Sequence, residues 1–396
     1  ELSPVNWTSF FTAKGPGEHG VHGFTVLDPA TYALRIASFD DVRCPTLFEQ
    51  LGEKGLVSRI VNLPNMAPAR PLRGMLIAGF VAPELARAVY PPFLLGPLAA
   101  AGYRVEGDTT RGATDPGHLL AELRRSLDAR RAALNLLWPD LAWDLFVYVL
   151  TETDRLFHFL FHAVDNPGHP LHEACMGLLV EWDRVLGEFL DRYDALPGPK
   201  RLLALADHGF CELTQEVDLN RVLIEAGFLR LDRPPRDEWD AGVIAPDSRA
   251  FALDPGRIYL HRASRYARGR VAEADCPALR QDIRHRLMDL TWHGQRVMNR
   301  VLDGRELYEG AQDAPDLLCV PEPGFDCKAK FDRATVFGHY GRTGMHRPED
   351  AFFYDSEASG PEGSRPGNDH PVRVRDVGTL VLDHFGIQNS TGGILL

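Results

Sequence analysis

Two short apolar runs, each breaking off into ionisable residues, constrain this chain more than any other feature. Residues 143–150 (WDLFVYVL) are almost continuously apolar and give way to TETDRLFHFLFH, whose spacing is helical. Residues 201–210 (RLLALADHGF) repeat the device and end in Asp207 and His208. A strand apolar on both faces belongs in the middle of a parallel sheet covered by helices. The strand–helix–strand alternation therefore predicts an α/β fold, with a mostly parallel central sheet and helices on both faces. Such sheets bind ligands beyond the carboxyl ends of their strands, which is where these ionisable residues fall.

The rest of the chain fits around those runs. Residues 45–54 predict a helix ended by Gly55, and 55–64 and 74–80 predict buried strands. Asp115 caps a helix that runs to the break at Pro139, and a second amphipathic helix is expected over 171–193. Composition changes after His208. Residues 213–335 read as an inserted cap, with a capped helix over 218–226, a Pro/Arg/Asp-rich loop, an isolated GRIYL strand and a long helix over 277–302. DLLCV (316–320) reads as a strand returning to the sheet, 355–373 as a polar loop, and 376–385 as a closing helix. The division expected is a core of 1–212 and 336–396 and an insert of 213–335.

With 396 residues, the chain is long enough for one large α/β domain carrying an insert. A net charge of −12 argues against a nucleic-acid duplex as partner, which would require a basic face. Small anionic substrates stay open, because bound cations invert the local field. The six cysteines show no C-x-x-C spacing and favour a reducing compartment such as the cytoplasm, although localisation is otherwise left open. No apolar run reaches the roughly 18–20 residues needed to span a bilayer. Oligomeric state is not legible.

Three constellations carry chemistry. Asp154 and His158 are four apart at the start of the predicted helix, so they share a face, and a carboxylate with an imidazole suits Zn²⁺ or Mn²⁺. The competing reading is a helix-dipole Asp beside an incidental His, and His162, one turn on, reads as core packing. Asp207 and His208 end the second run beside Gly209, either as ligands or as a polar strand exit. His346 lies in a Gly-bearing loop, with His339 as its competitor. Ahead of them all, Ser3-Pro4 opens a helical stretch, where a serine is a nucleophile or a cap. A hydroxyl with two sets of metal-type donors is the chemistry of phosphoryl transfer.

The order of these pieces, from SPVNWTSFFTAKGPGEHGVHGF through D-x-x-x-H, ADHGF and TGMHRPEDAFF to DVGTLVLDHFGI, resembles the alkaline phosphatase superfamily. The branch it resembles is the type I phosphodiesterase/nucleotide pyrophosphatase group, with 230–310 poorly matched. The resemblance implies Ser3 as nucleophile and metal-bound hydroxyl, where this branch more often has Thr. It implies one metal site of Asp154, His158 and His346 and another that includes Asp207 and His208. The two ions implied are divalent, zinc before manganese.

The resemblance also implies an upstream strand ending in a further Asp ligand, which we expect to precede Glu1 together with any signal peptide. Two departures put nucleotide specificity in doubt: Phe24 stands where the family has a phosphate-contacting Asn, and Pro4 where it has an aromatic. Asn6 is the available phosphate contact; Lys14 reads as surface. The expected activity is hydrolysis of a small phosphate diester or nucleotide-like substrate through a phosphoseryl intermediate, with the insert selecting the leaving group. The alternatives are a phosphomonoesterase, a phosphonate hydrolase or a metal-poor binding relative.

Overall fold

The computed structural model describes residues 2–253, 255–308, 311–357 and 372–388. The chain divides into two compact units, one of residues 1–15, 38–210 and 346–396, the other of 16–37 and 211–345. The polar loop expected over 355–373 lies for the most part outside the described residues.

The first unit is built on β1 (Ser58–Leu63), buried along its whole length. It pairs in parallel with β2 (Gly74–Ala78) on one edge and β4 (Leu145–Tyr148) on the other, and β2 pairs antiparallel with the short β3 (Val89–Tyr90). Ile60, Val61 and Leu63 are fully buried, each removal from water contributing about 1.5–3 kcal/mol. β4 was expected to be covered on both faces, yet all four of its residues are only half-buried.

Helix α1 (Ser3–Thr12) starts with Pro4 in its first turn and ends where Ala13 turns left-handed at φ 53°. It packs against α6 (Val374–His384) through Gly378, where a β-carbon would lie 2.1 Å from the Phe10 carbonyl oxygen. α2 (Leu47–Glu53) carries a capping box, Thr46 accepting from the Glu49 N–H and Glu49 from that of Thr46.

Three helices pack together: α3 (Pro116–Leu137), capped by Asp115, α4 (Glu152–Asp165) and α5 (His172–Asp194). Leu119, Leu123, Leu156, Leu160 and Leu178 fill the space between them. α4 is interrupted at Leu160 (φ −130°, ψ 25°). The break ends the face shared by Asp154 and His158 before it reaches His162, which instead meets His169 edge-on at 4.6 Å. Beyond α5 come β5 (Leu203–Leu205), β6 (Gly209–Glu212), β7 (Gly344–Arg347) and β8 (Phe353–Asp355). β5, expected as a further central strand of the parallel sheet, instead pairs antiparallel with β8 and is half-buried, and β6 pairs with β7.

The second unit has a four-stranded antiparallel sheet in the order Ala250–Leu253, Arg257–Leu260, Leu317–Pro321, Met298–Asp303. Helix Cys276–Met288 packs on it, and Phe251, Ile258, Ile283, Leu287 and Leu317 lie in its core. A three-stranded sheet has Gln215–Asp218 between Phe325–Lys328 and Phe337–Gly338.

Three expectations are corrected here. GRIYL is paired on both edges rather than isolated, and DLLCV joins this antiparallel sheet, not the parallel one. The helix expected over 277–302 stops at Met288. His293 (φ 48°) and Gly294 (φ 80°) form a left-handed two-residue turn between Thr291–Trp292 and Gln295–Arg296. Two successive positive φ values match the twist of a hairpin, so the chain doubles back where apolar spacing predicted it would continue.

Candidate active site

Ser3 is the first residue of α1, half-buried, with its Oγ 3.2 Å from His208 Nε2. His208 Nδ1 lies 3.2 Å from the Gly209 carbonyl oxygen, which can only accept. Nδ1 therefore carries the proton, and Nε2 presents its lone pair to the serine. Burial lowers the His208 pKa, with the nearby Asp207 only partly opposing it, so the neutral ring is favoured. Thr8 and Thr12, also on α1, are buried and donate to the Pro4 and Thr8 carbonyls at 2.6 Å. Asn6 Nδ2 donates to the Asp207 carbonyl at 2.6 Å, which ties α1 to the turn after β5.

Asp154, His158 and His346 converge. His346 Nε2 is 3.0 Å from Asp154 Oδ1 and 2.9 Å from His158 Nε2, and His158 Nε2 is 3.6 Å from the same oxygen. Their ligand atoms lie within 4.8 Å of one another, the one such group of His, Cys, Asp or Glu among the described residues. His346 was expected in a loop but sits on β7, and the rival His339 is exposed and outside the group. The His208 and His346 rings stack at 3.5 Å, and Phe210 meets both and His158 at 5.0–5.5 Å. His208 Nε2 is 3.7 Å from Asp154 Oδ1 and 3.4 Å from Asp207 Oδ2.

The donor set, a carboxylate oxygen and two imidazole nitrogens that converge, suits a divalent cation. Two imidazole nitrogens facing each other at 2.9 Å share one proton at most, or neither carries one and both point at a cation. Asp207 Oδ2 is buried and has no hydrogen-bond partner among the described residues, an arrangement that costs about 1–3 kcal/mol unless something is bound there. Burial works to raise the Asp154 pKa, but His158, Arg155 and the hydrogen bond from His346 outweigh it. The carboxyl is held well below its usual range and stays ionised.

Several residues of this region carry no sequence signal that singled them out. Arg155 reaches Asp154 and also Glu106, its Nε 3.2 Å from Glu106 Oε2, and its guanidinium lies 4.6 Å over the Phe80 ring. Asn62, next to last in β1, and Asn65, just beyond it, have left-handed backbones (φ 64° and 60°), which Asn tolerates better than most residues. Asn62 Nδ2 donates to the Val149 carbonyl at 3.0 Å, just ahead of α4, and Asn65 Nδ2 to Thr8 Oγ1 at 2.8 Å on α1. The N-L-P-N pattern after an apolar run was the available clue, since Asn is suited to such turns.

Comparison with solved structures places the fold. Phosphonoacetate hydrolase from Sinorhizobium meliloti 1021, in complex with phosphonoformate, superposes with a TM-score of 0.58 at 15% identity, over 96% of this chain and 84% of that one. Its complex with phosphonoacetate gives 0.55 at 15% identity, over 96% and 83%. A mutant of the alkaline phosphatase PafA gives 0.51 at 14% identity, over 98% and 87%. At these identities the likeness is one of fold, an alkaline-phosphatase-like α/β fold. Comparison with curated protein sequences gave no match. The sequence model of the type I phosphodiesterase / nucleotide pyrophosphatase family matches residues 1–348, and the chain belongs to that family. It is a hydrolase acting on phosphoester bonds.

Proposed function

We propose that this chain hydrolyses small phosphate diesters through a phosphoseryl intermediate on Ser3, with two divalent cations. Asp154, His158 and His346 would hold one cation and Asp207, His208 and Ser3 Oγ the other, zinc before manganese. One observation carries the reading: a hydroxyl at the first position of a helix lies 3.2 Å from an imidazole lone pair, beside a carboxylate and two imidazoles whose ligand atoms lie within 4.8 Å of one another.

Bound at these donors, divalent cations lower the pKa of a coordinated hydroxyl and neutralise charge on phosphoryl oxygens. The chain's own part is positional. Ser3 supplies the attacking oxygen, and the ester bond to the leaving group breaks as the Ser3–phosphorus bond forms. A water then attacks phosphorus and releases Ser3. In the first turn of α1, where Pro4 has no N–H, the backbone N–H groups of Ser3 and Val5 would face the developing charge. The hydrogen bond from Asn6 to the Asp207 backbone fixes the separation of nucleophile and ligand. Its Oδ1 or a rotated amide is the substrate contact we assign to Asn6.

The test is metal analysis with parallel assay of an aryl phosphate diester, the corresponding monoester and phosphonoacetate. The expected result is bound zinc or manganese and a kcat/KM for the diester at least tenfold above the others. Comparable values for diester and monoester would overturn a dedicated diesterase.

A further inference from the structure

We propose that Arg155 is a positioning residue for Asp154. It engages Oδ2 and so leaves Oδ1 as the single oxygen turned towards His158 and His346. This inference rests on reading Asp154 as a metal ligand. Consecutive helix residues point about 100° apart, so Arg155 would ordinarily diverge from Asp154. Here its long side chain folds back, and Nη1 bonds Asp154 Oδ2 while Oδ1 faces His346 Nε2 at 3.0 Å.

The guanidinium is held from three directions. Asp154 takes Nη1, Glu106 Oε2 takes Nε at 3.2 Å, and the Phe80 ring covers one face at 4.6 Å. The planar fork of Arg can bridge two carboxylates in this way, whereas a point-charge ammonium cannot. Glu106 is itself on an anchored loop: the Asp108 N–H donates to Glu122 on α3 at 3.0 Å, and Gly112 lies so close to Phe159 that a β-carbon would sit 2.9 Å from its ring. Glu106 and Phe80 thus both bear on Arg155, which in turn engages Asp154.

A carboxylate with both oxygens free can turn to chelate with two atoms or to cap the N–H groups of its own helix. With Oδ2 engaged, Asp154 is left one geometry. Partners of this kind typically contribute about 10–100-fold in metal affinity.

The experiment is calorimetric titration of the metal-stripped protein with Zn²⁺, comparing wild type with Arg155→Gln, Arg155→Lys, Glu106→Gln and Asp154→Asn, each checked by circular dichroism. The expected result is loss of the Asp154-dependent binding step in Asp154→Asn and a weakening of that step by about 10–100-fold in Arg155→Gln. Partial recovery is expected in Arg155→Lys and a smaller weakening in Glu106→Gln. Should Arg155→Gln not fold, Glu106→Gln carries the same claim.

Wild-type zinc affinity in Arg155→Gln or, failing that, in Glu106→Gln, overturns the proposal. A rise in KM alone would do the same, by making Arg155 a substrate contact. If instead Asp154→Asn binds zinc as wild type does, the metal reading itself has failed, a distinguishable result.

Discussion

His261 is fully buried in the second unit with each ring nitrogen matched to one complementary partner. Nδ1 lies 3.0 Å from the Ser248 carbonyl, and Nε2 lies 2.5 Å from Tyr32 Oη. His158, buried in the first unit, turns its Nε2 to another imidazole Nε2 at 2.9 Å. The carboxylates differ in the same way. Asp240 is met by Arg233 at 2.7 and 3.0 Å and by the N–H and Nε of Arg236 at 3.0 Å, and these bonds drive its pKa far down. Asp207 Oδ2 is buried with no hydrogen-bond partner among the described residues. In these two pairs the difference lies in the partner met: His261 and Asp240 face complementary groups, whereas His158 Nε2 faces a like nitrogen and Asp207 Oδ2 faces no hydrogen-bond donor among the described residues.

The largest effect that could break this contrast is on Ser3. Ser3→Ala should lower kcat on an aryl phosphate diester by on the order of 10³-fold or more, with metal content per chain near wild type. Activity near wild type would move the nucleophile elsewhere, and the engaged hydroxyls of Thr8 and Thr12 make them poor substitutes.

Next comes Asp154→Asn, expected to lose one metal equivalent by elemental analysis and at least about a hundredfold in kcat/KM, since such an ion stabilises the transition state by several kcal/mol. On the other side of the comparison, His261→Ala should cost about 2–4 kcal/mol in urea unfolding, because it strands a hydroxyl and a carbonyl in the core. Metal content per folded chain should not change. Loss of metal in that variant would erase the distinction between core and site histidines.

The smallest effect is a slope. His19 is fully buried, and burial, then repulsion from His22, lowers its pKa from 6.5 to about 3. The unfolded chain therefore takes up this proton first. His19 costs no stability above pH 6.5 and progressively more as pH falls from 6.5 towards 3. In His19→Asn, an acceptor for the Val21 N–H, now 3.1 Å from Nδ1, is retained. The loss of unfolding free energy between pH 7.5 and 4.5 should be smaller than in wild type. Equal losses would show that His19 does not govern the acid limb.

The elements that place the candidate site were largely legible, because each rests on local pattern. Asp154 and His158 share a face by helical spacing, and Asp207 and His208 follow an apolar run. What failed was decided by partners distant in sequence or by backbone shape. His346 is on a strand because β7 pairs with β6, though GMHR has no strand periodicity. The helix expected to reach residue 302 ends at Met288 because His293 and Gly294 turn left-handed, while Leu287, Leu290, Val297 and Val301 keep a near-helical spacing across that turn. Arg155 was invisible because its partner Glu106 lies 49 residues away, and no motif joins them.

The most direct test of the central claim is anomalous diffraction from crystals grown with Zn²⁺, recorded on both sides of the zinc absorption edge. The account predicts two peaks, one among Asp154 Oδ1, His158 Nε2 and His346 Nε2, the other among Asp207 Oδ2, His208 Nε2 and Ser3 Oγ. Crystals that show no peak at either place, with His158 and His346 still in mutual contact, would contradict it.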